Sequence, residues 1–282
     1  MCIVQGSRQT RAHPPVYLGP RTTSHDFRMI TLQNLSTGYG SHVVMQGINA
    51  ELRQGELVSL LGPNGVGKST LLRTLSAFQP ALAGDIRIDG RPLSQLSIRE
   101  RSRLIGVVLT ERTTVQHMTV RSMVGMGRTP YTGFWGGLDE EDRRVVDDAM
   151  QKTGIAHLQH RHINTLSDGE RQKVMIAKAV AQETPIILLD EPTAFLDYPS
   201  KVDMMRMLLS LAHGMQKVIF LSTHDVEMAL QLSDRVWLME DGHLTTGTPR
   251  QLAQDGSITR FVCREGVSFD TQSLTIQLQV NA

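Results

Sequence analysis

Leu57-Val58-Ser59-Leu60-Leu61 runs straight into Gly62-Pro63-Asn64-Gly65-Val66-Gly67-Lys68-Ser69-Thr70. The second half fits the pattern G-x-x-x-x-G-K-[ST], with Gly62, Gly67, Lys68 and Ser69 at its fixed positions. An apolar strand-like run precedes it, and a helical pattern from Lys68 to Leu75 follows. The spacing has a physical reason. Glycines tolerate positive φ and carry no Cβ, so consecutive backbone N–H groups can turn inward around a phosphate. A helix that starts there adds its positive dipole end. Lys68 can then reach the β- and γ-phosphates, and the Ser69 hydroxyl can ligate Mg²⁺. The loop residues Gly62, Pro63, Asn64, Gly65, Val66, Gly67, Lys68, Ser69 and Thr70 are therefore the first candidate contacts. A plain glycine-rich turn ahead of a helix is the competing reading.

Working outward, the 282-residue chain can bury a large core, as one large domain or two lobes. Its 29 Lys+Arg against 28 Asp+Glu give no excess charge that would point to a polyanion as main partner. No apolar run approaches the ~20 residues that span a bilayer. The chain is expected to be soluble on its own, with any membrane role exercised through a partner. Cys2 and Cys263 offer neither metal spacing nor a disulfide framework, which fits a reducing cytosol.

Residues 1–28 are Arg-rich, contain Pro14, Pro15 and Pro20, and hold no acid before Asp26. They lack the apolar core of a secretory signal, and the prolines spoil an amphipathic presequence helix. A disordered extension, or an upstream start with Met29 opening the folded domain, is the expectation. From Met29 the pattern alternates, Tyr39-Gly40 reads as a turn, and Val43 to Glu51 leads to the phosphate-loop strand. Gly84 to Gly90 is a second β cluster, and Ile105 to Leu109 a short apolar run. A helical and loop section spans about Val115 to Leu166. Ser167-Asp168-Gly169-Glu170 is a capping box, S-x-x-E, ahead of a helical run to Ala181. Ile186-Ile187-Leu188-Leu189 then ends in Asp190-Glu191. Four apolar residues in a row fit a parallel strand buried on both faces. Acids at its carboxyl end lie where open α/β sheets bind ligands. Lys217 to Leu221, ending in Ser222-Thr223-His224-Asp225, repeats that architecture. Val236 to Glu240 with Gly242 to Gly247 reads as a hairpin, and the alternating tail from Phe261 as an edge hairpin.

Taken together these motifs resemble the nucleotide-binding subunit of ATP-binding-cassette transporters, over roughly Met29 to Gln251. Six elements stand in the family's order. They are the aromatic Tyr39, the phosphate loop, the signature Leu166 to Glu170, the acid-tipped strand Ile186 to Glu191, the loop Ala194-Phe195-Leu196-Asp197 and His224. The resemblance implies an α/β fold: a P-loop NTPase core, an antiparallel β subdomain and a helical subdomain. The expected boundaries are a cassette domain over 29–260, its helical subdomain at about 112–180, and a tail over 261–282. It implies ATP and Mg²⁺ as cofactors. Asp190 should hold Mg²⁺ with Ser69, leaving the metal to bridge β- and γ-oxygens. Glu191 is placed to orient and deprotonate the attacking water. His224 contacts the γ-phosphate in the family, and Tyr39 stacks on adenine. Ser167, Gly169 and Glu170 contact nucleotide held by a second copy, since one phosphate loop and one signature require two chains about a two-fold axis.

Two departures stand out. Asp168 replaces a glycine of the signature and should point away from phosphate or cap the helix. Where the family places a metal-side glutamine, this chain has Thr110-Glu111. Counting from both sides puts Thr110 at the metal, with Glu111 as the alternative one residue on. Gly127-Arg128-Thr129-Pro130-Tyr131 followed by Gly133-Phe134-Trp135 looks like importers of iron–siderophore, haem and cobalamin complexes; an aromatic-rich surface loop is the other reading. The resemblance thus implies an ATPase that energises a membrane permease importing a metal chelate. Its place would be peripheral, on the cytoplasmic face of the inner (plasma) membrane, with a substrate-binding protein as indirect partner and no nucleic acid. The alternative is a non-transport cassette ATPase acting on ribosome or DNA.

Overall fold

The computed structural model describes residues 28–109, 117–132 and 136–278. The expectations for residues 1–27, Thr110, Glu111, Gly133-Phe134-Trp135 and Val280 lie outside the described residues. In chain order, β1 (Met29–Tyr39), β2 (His42–Arg53) and β3 (Leu57–Leu61) lead to α1 (Lys68–Leu75). β4 (Ala83–Ile88), β5 (Arg91–Pro92), α2 (Ile98–Leu104) and β6 (Ile105–Val108) follow. The helices α3 (Val120–Gly125), α4 (Glu140–Lys152) and α5 (Asp168–Ala181) precede β7 (Ile186–Leu189). α6 (Tyr198–Gly214), β8 (Val218–Ser222), α7 (Val226–Leu232) and β9 (Arg235–Glu240) come next. The described chain closes with β10 (His243–Gly247), α8 (Pro249–Gln254), α9 (Ser257–Val262), β11 (Val267–Asp270) and β12 (Thr275–Leu278).

The central sheet has the order β10-β9-β3-β8-β7-β6, parallel except for the β9–β10 hairpin. An antiparallel sheet, β2-β1-β4-β5, packs beside it. Strand alternation explains the continuous apolar runs. In β7, Ile186 and Leu188 enter the core shared with the antiparallel sheet, while Ile187 and Leu189 enter the core shared with α3 to α6. β8 divides the same way, Val218 and Phe220 against Ile219 and Leu221. Both faces are covered, so no polar alternation survives in the sequence. Phe220 meets Trp237 edge-on, 4.9 Å between ring centroids. The antiparallel sheet, the α/β core and the helical section together give the mixed α/β architecture implied by the motifs.

Two features bear on the sequence reading. β11 and β12 pair with each other and do not extend the central sheet. Phe269 and Leu274 pack on the cluster formed by α7, α8, α9 and β9, and the Ile276 N–H donates to Glu227 Oε1 at 2.7 Å. Side-chain burial, not a ladder with β10, holds the hairpin. Within the segment from Gly127 to Tyr131, Gly127 and Arg128 are buried while Thr129 is exposed. Arg128 is fully buried, donating from Nε to Asp142 Oδ1 at 2.9 Å and from Nη1 to Ala181 O and Glu183 Oε2, each at 2.7 Å. Its guanidinium lies 4.2 Å from the centre of the Tyr131 ring. This residue ties α4 to the end of α5, which explains physically why a short Arg-Tyr motif belongs there.

Candidate nucleotide site

The site forms at the carboxyl ends of three neighbouring strands, β3, β8 and β7. After β3 the chain turns through Pro63, Asn64 and Gly65, all exposed, and enters α1 at Lys68. Close packing dictates the glycines. A Cβ on Gly62 would sit 2.7 Å from Met239 O, and one on Gly67, at φ +109°, 2.3 Å from Val44 Cγ1. β2 and β9 therefore press on a loop that only a bare backbone can form. Lys68 is 6% exposed, and its amine donates back to Gly62 O at 2.8 Å and Pro63 O at 3.1 Å. Burial pulls that amine below its ordinary pKa, opposed by the negative charge of Glu191 and Asp190. Thr70 donates its hydroxyl proton to the Tyr39 hydroxyl at 3.0 Å, so the half-exposed Tyr39 ring is fastened to α1.

The carboxylates arrive from β7. Ser69 Oγ donates to Asp190 Oδ1 at 3.3 Å, and the buried Ser222 Oγ donates to the same oxygen at 2.6 Å. Glu191 takes φ +48°, an uncommon backbone region for a bulky residue. Its Oε1 lies 2.5 Å from His224 Nε2, and its N–H donates to Ser222 Oγ at 3.0 Å. Next to His224, Asp225 accepts from Thr193 Oγ1 at 3.2 Å and Lys201 Nζ at 3.0 Å, binding the turn after β8 to the loop after β7 and to α6.

Tyr39, the loop Gly62 to Thr70, Asp190, Glu191 and His224 thus come together. The signature stands apart from them. Ser167 caps α5, accepting from the Glu170 N–H at 3.2 Å, while Glu170 Oε2 accepts from the Ser167 N–H at 2.9 Å. That backbone bond, aided by Arg161, holds the Glu170 carboxyl below the usual range. Asp168, in the first turn of α5, pairs with Arg171 one turn along, at 3.0 Å. Gly169 lies against Leu196, where a Cβ would meet Cδ2 at 3.4 Å. Thr110 falls outside the described residues. Ser222 and Thr193 stand in stretches the sequence reading quoted without giving them a role, and Lys201 was not singled out. The serine ending an apolar run just before Thr223-His224 was the available signal.

The donor set fits a small hard cation beside a phosphate chain. A hydroxyl and a carboxylate oxygen 3.3 Å apart are close to the ~2.9 Å that separates neighbouring ligands on an octahedron of Mg²⁺ size. Among the described residues no group of three or more His, Cys, Asp or Glu could hold a metal by itself. One carboxylate, one hydroxyl and substrate oxygens are what Mg²⁺ requires. The glycine loop, whose curvature a single Cβ would fill, fits phosphate.

Comparison with known proteins agrees. The ABC transporter family matches residues 45–194. The chain is 34% identical over 229 residues to the ferric enterobactin transport ATP-binding protein of Escherichia coli, covering 81% of this chain and 84% of that protein. It is 38% identical over 210 residues to the hemin import ATP-binding protein of Streptomyces coelicolor, covering 74% of each. A dimeric structure of a bacterial ABC transporter cassette superposes with a TM-score of 0.67 at 26% identity, over 78% of this chain and 98% of that one.

Proposed function

The chain belongs to the ABC transporter family, as an ATP-binding subunit that hydrolyses ATP to drive transport, and from that premise we propose that it powers import of a metal chelate through a membrane permease. The observation that carries the site assignment is the convergence of Lys68, Ser69, Asp190, Glu191 and His224 at adjoining strand ends. Lys68 moves from the loop carbonyls to the β- and γ-phosphates, exchanging two neutral acceptors for charged ones. Ser69 and Asp190, with Thr110 as the further expected ligand, would hold Mg²⁺, which would supply charge neutralisation at the phosphate oxygens. Glu191 orients the attacking water and takes its proton. His224, already within hydrogen-bond reach of Glu191, contacts the γ-phosphate from the other side. The Tyr39 ring, anchored through Thr70, stacks on adenine.

Ser167, Gly169 and Glu170 point the reading toward a second copy. The hydrogen bonds between Ser167 and Glu170 cap α5 and leave its N-terminal dipole for phosphate held elsewhere, so two chains sandwich two nucleotides head to tail. Among the described residues no helix is long and apolar enough to cross a membrane. Contact with a permease then needs a surface, and we assign it to a groove of about 340 Å³ beside α2. Phe78 and Ile98, 61% and 80% exposed, line it, together with Arg101. Apolar anchors around a cation suit a helix carrying a carboxylate. The chelate class is supported by the ferric enterobactin and hemin relatives; a substrate-binding protein as indirect partner and a place on the cytoplasmic face of the membrane belong to the same proposal. The ribosome- or DNA-acting alternative gains no support from these relatives.

The test is Glu191→Gln, which keeps size and hydrogen-bonding reach and removes the base. It should bind MgATP, accumulate as a dimer and hydrolyse roughly 10²–10⁴ times more slowly than wild type. Near-normal turnover by the purified variant would remove Glu191 from the role of base.

A further inference from the structure

Ser222 closes β8 and is completely buried. A serine hydroxyl has one proton and two lone pairs, so it can donate once and accept at the same time. Here it does both, donating to Asp190 Oδ1 at 2.6 Å and accepting from the Glu191 N–H at 3.0 Å. Its two partners are adjacent in sequence but are assigned different work, one at the metal and one at the water. Each has a geometric problem. Asp190 Oδ1 also accepts from Ser69 at the longer distance of 3.3 Å, so the Ser222 bond is the tighter control on where that oxygen sits. Glu191 holds φ +48°, a conformation that persists only where surrounding bonds over-determine it. The Asp190 N–H is itself tied to Val108 O at 2.9 Å, so the segment is held from β6 on one side and β8 on the other.

We propose that Ser222 is a positioning residue of this site: one hydroxyl aims the Asp190 carboxylate at Ser69 and holds the Glu191 backbone in the turn that brings its carboxylate to His224. The inference rests on the roles given above to Asp190 and Glu191. Removing the hydroxyl takes away the 2.6 Å bond on Asp190 Oδ1 and the acceptor of the Glu191 N–H. Metal affinity and turnover then fall together, although Ser222 touches neither metal nor nucleotide.

The experiment compares wild type with Ser222→Ala, Ser222→Thr and Ser222→Cys. Three readouts are taken: Mn²⁺ half-saturation by electron paramagnetic resonance with a non-hydrolysable ATP analogue, kcat with MgATP, and thermal midpoint. Partners that orient a metal ligand typically contribute ten- to a hundredfold in metal affinity or activity. Ser222→Ala should therefore raise the Mn²⁺ half-saturation and lower kcat by about that factor, and Ser222→Thr, which keeps the hydroxyl, should restore both. Ser222→Cys leaves no void but donates weakly, so it should show the same Mn²⁺ shift even if the alanine variant folds poorly. Wild-type Mn²⁺ half-saturation in the alanine or cysteine variant would overturn the proposal, whatever happened to the thermal midpoint. So would a folded threonine variant that failed to rescue. Wild type that neither bound Mn²⁺ with nucleotide nor hydrolysed MgATP would instead sink the ATPase site assignment itself.

Discussion

Lys217 sits one residue before β8, the strand that delivers Ser222 and His224, and is only 2% exposed. Its amine donates to Thr184 O at 2.5 Å, and among the described residues no carboxylate pairs with it. Burial lowers its pKa from 10.5 to about 8; Glu183 opposes the shift and Lys152 adds to it. The sign follows from proton binding. Between pH 8 and 10.5 the unfolded chain keeps the proton and the folded chain releases it, so stability rises with pH across that window. Below pH 8 both states are protonated and the full penalty stands. At 1.36 kcal/mol for each pH unit between the two pKa values, that penalty is about 3 kcal/mol at pH 7, about 2 at pH 9 and below ~1 at pH 10. Lys217→Met removes the titration and fills similar space, at a cost of about 1 kcal/mol for the lost bond to Thr184 O. The variant should be about 2 kcal/mol more stable than wild type at pH 7, and the advantage should vanish near pH 10. Urea denaturation of both proteins at pH 7, 8, 9 and 10 measures this, and subtracting the two curves cancels every other titrating group. If the two stabilities ran parallel from pH 7 to 10, the buried-amine explanation would be wrong.

Gly67→Ala should weaken ATP binding roughly 10- to 100-fold, because φ +109° and a Cβ 2.3 Å from Val44 both oppose the loop conformation. Pairing it with Val44→Ala relieves only the clash, so titration calorimetry should find at most partial recovery; wild-type affinity in Gly67→Ala would contradict the cradle. Phe78→Asp combined with Ile98→Asp should abolish co-purification with the permease, by putting two carboxylates on the apolar floor of the α2 groove. Retained co-purification would move the docking surface elsewhere.

What the sequence disclosed was local, and so were its signals. The phosphate-loop helix spans Lys68–Leu75, as the glycine-to-lysine junction implied, because the loop, the N-terminal turn and the apolar spacing all sit within one short window. The capping box at Ser167 is legible for the same reason, its two hydrogen bonds joining residues three apart. β7 and β8 declare themselves by unbroken apolar runs, since burial on both faces erases alternation. Hidden features depend on partners far along the chain. Arg128 reads as a surface charge until Asp142, Ala181 and Glu183, which lie 14, 53 and 55 residues away, surround it. A buried guanidinium without them would cost several kcal/mol, so the burial is a property of the set and not of the arginine. Ser222 is the same case with smaller atoms. Its partners lie 32 and 31 residues upstream, and a serine at a strand end carries no pattern that names them. Only the parallel pairing of β7 with β8, Leu189 opposite Leu221, brings that hydroxyl level with Asp190 and Glu191. A one-residue slip in that register would turn Ser222 to the opposite face and leave both carboxylates unguided. The precision of the site is therefore set by strand register.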